Sequence, residues 1–151
     1  MSDPKFVYAI YIRTTPEKAF QALLDSDFTK EYWGHDNVSD WKQGSPWRHV
    51  TSDSARTTKI VGEVIECKPP HRLVLTWARP ENEADKKKHS RMTIEITPTE
   101  DAVRLTVTHE EFAGDPDMLK GISEGWPRVL CSLKSLLETG KPLNTWAKAK
   151  N

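Results

Sequence analysis

From Asp117 to Glu138 the chain carries Leu119, Ile122, Trp126, Val129, Leu130, Leu133, Leu136 and Leu137 at helical spacing. A helix with so wide an apolar stripe must lie on another apolar layer, and this requirement constrains the fold more than any other feature. Gly140 and Pro142 mark its end, and Pro127 within the stripe predicts a kink or break near Gly125.

The layer it can cover is a sheet. Met92, Ile94 and Ile96 alternate with Arg91, Thr93 and Glu95 over 91–97, and Val103, Leu105, Val107 and His109 alternate with Arg104, Thr106 and Thr108 over 103–109. Strands of this pattern bury one face and wet the other, as antiparallel strands do. Further strands are expected at 5–12, 46–51, 56–66 and 72–78, with Ser52-Asp53-Ser54 and Pro69-Pro70 as breaks. The first is apolar on both faces, so alternation does not choose its inward side. Thr15-Pro16-Glu17 opens a helix with Ala19, Phe20, Leu23 and Leu24 on one face, and a second short helix at about 27–33 closes at Gly34. The charged segment 79–90 is expected to be a solvated hairpin tip. The resulting order is one strand, two short helices, an antiparallel run and one long helix. This is an α+β arrangement in which a curved sheet and its covering helix leave space between them. Without repeats or a linker, residues 1–151 are expected to form a single domain with its core at about 5–142.

The bulk properties exclude more than they assign. Twenty-two basic residues balance twenty-two acidic ones, so no overall field favours nucleic acid. No apolar run approaches the roughly 20 residues of a membrane span. The N-terminus lacks the pattern of a signal peptide, so a cytoplasmic location is expected. Cys67 and Cys131 lie too far apart in sequence for a CxxC motif. They are expected to be reduced thiols, Cys131 buried in the helix and Cys67 near a strand end.

The sequence resembles the SRPBCC superfamily, START-like and birch-pollen-allergen-like proteins with a helix-grip fold. Within it the chain is most similar to stand-alone homologues of the C-terminal domain of the heat-shock protein 90 ATPase activator. The resemblance is carried by Tyr11-Ile12, Thr15-Pro16-Glu17-Lys18-Ala19-Phe20, Ala22-Leu23, Tyr32-Trp33-Gly34, Asp40-Trp41 and Gly44-Ser45-Pro46-Trp47. It continues through Gly62-Glu63-Val64, Pro69-Pro70, Arg72-Leu73, Thr76-Trp77, Arg104-Leu105-Thr106, Thr108-His109, Gly125-Trp126 and Leu130 to Gly140. No one of these motifs is specific, but their order and spacing are. The resemblance implies a helix-grip fold and a ligand-sized cavity. It does not choose among lipid carriers, hormone receptors, cyclases and co-chaperone domains, all of which use this fold.

Several side chains suit a pocket wall. Trp33, Trp47, Trp77 and Trp126 each combine a large apolar body with one N–H, although core packing accounts for such residues equally well. Trp41 and Trp146 read as edge or surface positions. His109 sits on an apolar strand face, where an imidazole either meets a buried partner or addresses a ligand, and the buried partner is favoured. The expected ligand-binding wall is Trp33, Trp47, Leu75, Trp77, Met92, Val107, His109, Phe112, Trp126 and Leu130. His35, His49, His71, His89 and His109 show no metal-ligand spacing, and His35-Asp36 reads as a loop pair. P-loop and GxGxxG motifs are missing, and Glu63 and Glu66 should face opposite ways. No catalytic constellation, metal or cofactor is therefore expected, and the reading leans away from an enzyme. The first expectation is a binding module for a small apolar or amphipathic molecule, held between the sheet and the last helix near Trp77, His109 and Trp126. A co-chaperone that regulates a heat-shock protein ATPase, and a cyclase or hydrolase using a pocket group such as His109, are the alternatives.

Overall fold

The computed structural model describes residues 4–145. Seven strands form one antiparallel sheet: β1 (Phe6–Ile12), β2 (His35–Val38), β3 (Pro46–Thr51), β4 (Thr58–Lys68), β5 (Arg72–Trp77), β6 (Ser90–Pro98) and β7 (Val103–Glu110). Their spatial order is β1-β7-β6-β5-β4-β3-β2, so the first strand lies beside the last. Two short helices, α1 (Pro16–Leu24) and α2 (Ser26–Tyr32), separate β1 from β2, and the chain closes with α3 (Asp117–Thr139). This is the α+β helix-grip fold, a curled sheet gripping a long C-terminal helix. Register shifts at His49/Val50 and between Val64 and Glu66 break the ladders of β3–β4 and β4–β5, where bulges bend a sheet.

The local signals act as their chemistry dictates. Thr15 caps α1 by accepting a bond from the Lys18 N–H at 3.2 Å, with Pro16 at the first helical position. Gly140 ends α3 in the left-handed region at φ 85°. On β1 the ambiguity resolves: Phe6, Tyr8, Ile10 and Ile12 turn inward, while Val7 and Tyr11 remain more than half exposed.

Five details differ from the sequence expectation. His35–Val38 is an edge strand paired with β3, not part of a loop. Helix α3 runs unbroken through Pro127, because a proline removes one ladder bond but the flanking turns hold the helix. The 79–90 segment is not a free tip. Arg79 Nε donates to Asp115 at 2.7 Å, Lys86 Nζ to Glu63 at 2.6 Å, and Arg48 to Glu83 at 2.8 Å. Buried His89 pins it further, its Nε2–H directed at the Asn82 and Glu83 carbonyls and its Nδ1 3.0 Å from the Thr76 hydroxyl. Cys131 is half-buried, with its thiol 3.8 Å from the Tyr8 hydroxyl, and Cys67 is half-buried too. Trp41 packs on the core at φ 62° instead of lying on the surface, and Trp146 falls outside the described residues.

Candidate functional site

A cavity of about 380 Å³ opens between β2, β3, β4 and β5 on one side and the first half of α3 on the other. Its wall is Trp33, His35, His49, Ile60, Trp77, Met118, Gly121, Ile122, Gly125, Trp126 and Val129. No side chain among these is a lysine, arginine, aspartate or glutamate. The wall is therefore apolar and aromatic with a few polar atoms, and its volume falls in the roughly 300–1,000 Å³ range of small-molecule pockets.

Each element contributes by its periodicity. Trp77 closes β5, Trp33 caps α2, and Trp126 lies on the buried stripe of α3. Trp126 meets Trp33 and Trp77 with ring centroids 5.5 Å apart in each case, in tilted contacts that aromatic pairs favour. On β3, alternation turns Trp47 and His49 to the same face. Gly62 makes the Trp47 position possible. A Cβ on that residue would stand 2.5 Å from the Trp47 indole nitrogen and 2.0 Å from the Thr76 carbonyl, to which this indole donates at 2.8 Å.

The histidines form two different polar systems. His109 is fully buried and both ring nitrogens are occupied. Ser90 Oγ donates to the Trp77 carbonyl at 2.9 Å and so accepts from His109 Nε2–H at 2.8 Å. The Trp126 indole N–H donates to His109 Nδ1 at 3.2 Å. This chain fixes a neutral tautomer, since a proton on Nδ1 would face the Trp126 N–H donor to donor. Burial pushes the His109 pKa down to about 3.

His49 is held differently. The Asn37 amide donates to the Leu23 carbonyl at 2.8 Å, which turns its oxygen toward His49 Nδ1, 2.7 Å away. Nδ1 therefore carries the proton and Nε2 is a bare acceptor, with no partner among the described residues. Burial, with the neighbouring His35 as a smaller cause, pushes the His49 pKa down to about 3. His35 stacks on His49 in parallel, centroids 4.4 Å apart and planes 5° apart, with its own Nδ1–H directed at the Trp33 carbonyl at 2.8 Å. The lone pairs of parallel rings lie in separate planes and do not converge on one ion. No group of three or more metal-ligating side chains occurs among the described residues.

One donor is left over. Among the described residues, three buried side-chain polar atoms lack a partner: Thr29 Oγ1, Trp77 Nε1 and Thr145 Oγ1. Of these residues only Trp77 lines the cavity. An unpaired buried donor costs about 1–3 kcal/mol.

The expected wall is thus only partly assembled. Trp33, Trp77 and Trp126 line the cavity. Trp47, Leu75 and Met92 border, with Trp33 and Trp77, a second void of about 10 Å³, room for one water at most. Val107, His109, Phe112 and Leu130 line neither, being packed into the core with exposures of 0–2%. Phe112 stacks on His109 at 5.0 Å and seals it from below. His109, with no free nitrogen, is not placed to shuttle a proton. Sequence reasoning missed His35, His49, Ile60, Met118, Gly121, Ile122, Gly125 and Val129 as wall residues. A signal existed for His49, which stands two residues from Trp47 on the same strand face.

Comparison with known proteins places this geometry. Residues 13–138 match the family described as Activator of Hsp90 ATPase homolog 1-like protein. No curated protein matches the chain. Among solved structures, protein MLL2253 from Mesorhizobium loti aligns with a TM-score of 0.72 at 23% identity, over 89% of this chain and 97% of that one. The Aha1 dimer from Colwellia psychrerythraea aligns at 0.73 and 23%, over 91% and 98%. DynU16, from the dynemicin biosynthetic locus, aligns at 0.74 and 20%, over 93% of this chain and 49% of that one. At these identities the structures share the fold.

Proposed function

Because the chain belongs to the Activator of Hsp90 ATPase homolog 1-like family, whose helix-grip frame it builds, we propose that it binds a small apolar or amphipathic molecule in the cavity under α3. The observation that carries this reading is the cavity itself: about 380 Å³ of space walled by three tryptophans, two histidines and aliphatic side chains, with no lysine, arginine, aspartate or glutamate. A domain that needed only stability would pack side chains against this wall, because apolar surface left within reach of water forfeits roughly 25 cal/mol per Å². The protein acts in this reading as one cytoplasmic unit, with no catalytic step and no bound cofactor. No helix among the described residues is long and apolar enough to cross a membrane.

Amide shifts recorded during titration with fatty acids, flavonoids and sterols test the proposal. Shifts should gather at 33–35, 49, 60, 77 and 118–129, and leave the outer face at Val7 and Tyr11 unmoved. A broad panel that moves none of the wall residues would turn the space into a packing defect. The second reading, regulation of a heat-shock protein ATPase through the protein surface, rests on the family's description, and it would then take first place.

A further inference from the structure

We propose that Asn37 sets the polarity of the cavity through His49, so that the group a ligand turns toward His49 Nε2 is an uncharged N–H or O–H donor. The inference rests on the ligand-binding reading above and specifies the class of molecule, a neutral ring-bearing compound that donates a hydrogen bond at this point.

The orientation of Asn37 is imposed from outside the cavity. The Leu23 carbonyl only accepts, so the amide N–H faces it at 2.8 Å and the amide oxygen faces His49 Nδ1 at 2.7 Å. Nδ1 then holds the proton, and Nε2 is an acceptor without a donor among the described residues. His49 is only 5% exposed, yet its Nε2 is not one of the buried unpartnered atoms closed off from solvent, which are Thr29 Oγ1, Trp77 Nε1 and Thr145 Oγ1. That nitrogen therefore keeps an open edge, and the space that His49 borders is the cavity under α3. Burial also keeps the ring neutral at pH 7, so Nε2 stays bare.

A bare acceptor decides which ligand groups fit beside it. A ligand that displaces water from Nε2 must supply a donor or leave the nitrogen unpaired. A carbonyl, an ether or a carboxylate brings only lone pairs to that point. An ammonium donates, but the wall has no aspartate or glutamate to offset its lost hydration. A neutral N–H or O–H meets the demand without that loss. The indole and imidazole rings around it present flat π-surfaces that complement a ring system.

The test pairs indole, which donates through its N–H, with benzothiophene, an isostere without a donor. Both are titrated at pH 7 against the full chain and against His49→Phe, which keeps a ring and removes the acceptor. Benzothiophene leaves water more readily than indole does, so the quantity compared is the ratio of the two affinities. The preference for indole over benzothiophene should fall about tenfold in His49→Phe, the increment of one hydrogen bond to an otherwise unpaired group. Nitrogen-15 NMR of the parent chain should show His49 protonated at Nδ1 and bare at Nε2. Indole should move the Nε2 resonance, and benzothiophene should leave it near its free position. Asn37→Ala removes the clamp on the ring, so the two His49 nitrogen resonances should converge as both tautomers populate. An Asn37→Ala chain that keeps the parent's His49 resonances would overturn the role of Asn37. If either variant misfolds, the resonances of the parent chain still decide. An unchanged affinity ratio in a folded His49→Phe, a proton on Nε2 in the parent chain, or indole bound without movement of Nε2 would each overturn the selection and leave the ligand-binding reading standing. If neither compound binds, the selection falls, and the wider panel of fatty acids, flavonoids and sterols decides separately whether the cavity takes a ligand.

Discussion

The two halves of α3 do opposite things with similar material. The second half is stitched to β1: the Tyr8 hydroxyl meets the Cys131 thiol at 3.8 Å, Lys134 Nζ donates to the Tyr11 carbonyl at 2.8 Å, and the Arg13 N–H donates to Glu138 at 2.8 Å. Leu130 and Leu133 there are buried to within 1%. The first half spans the cavity instead, with Met118, Ile122, Trp126 and Val129 on its wall and Gly121 and Gly125 contributing no side chain at all. One continuous helix therefore serves as anchor at one end and roof at the other. The contrast shows that an apolar stripe specifies which face of a helix turns inward but not whether the inward space is filled.

Truncation tests that contrast most forcefully. Leu133→Ala should cost about 2–5 kcal/mol, as buried leucine truncations do in tightly packed surroundings. Ile122→Ala removes atoms that already border empty space and so make fewer contacts, and it should cost about 1–2 kcal/mol. Urea melts of the two variants measure the difference. Equal losses would mean that the roof is packed as tightly as the anchor.

The second test is chemical. The roof end holds His49 and His109, whose pKa values burial pushes down from about 6.5 to about 3. The unfolded chain takes up a proton on each near pH 6.5, whereas the folded chain resists until about pH 3. Stability is therefore full above pH 6.5 and falls below it by about 1.4 kcal/mol per pH unit per histidine, levelling off near pH 3. At pH 5 each should have cost about 2 kcal/mol. His109→Phe should remove roughly half of that slope, read from urea midpoints between pH 7 and 5. An unchanged slope would assign acid sensitivity to other groups.

Much of the frame was legible in the sequence because it rests on periodicity. The stripe of α3 and the alternations of β6 and β7 each repeat often enough to identify the element and its inward face. β2 was not legible: His-Asp-Asn-Val has no alternating apolar pattern, and pairing with β3 holds it in place. Arg56 also reaches Asp36 on that strand in an ion pair. The site was less legible than the frame. Val107 and Leu130 do face inward as their spacing required, but other side chains reach them first. His49 was overlooked because no motif surrounds it, and its role comes from the Asn37 amide twelve residues away. Gly121 and Gly125 left no apolar signal, since what they provide at the cavity edge is space.

Those glycines allow the smallest and most discriminating test. A Cβ built at either position meets nothing within 4 Å, so a side chain there strikes no neighbour. Both sit inside a helix, where glycine is worse than alanine by about 0.5–1 kcal/mol. Gly121→Ala and Gly125→Ala should therefore each stabilise the fold by roughly that amount, a degree or more upward in melting temperature. Leucine at the same positions should keep most of the helix gain while its side chain occupies the cavity edge, so ligand affinity should drop as stability holds. That pairing of opposite signs separates a space kept for binding from a space left by imperfect packing. In a packing defect, filling improves stability and costs nothing else. In a binding site, the same filling competes with the ligand. If Gly125→Leu raises the melting temperature and binds the fatty acid, flavonoid or sterol that the parent chain takes as tightly as that chain does, the glycines do not border the bound molecule, and the roof of the cavity must be sought closer to Trp126.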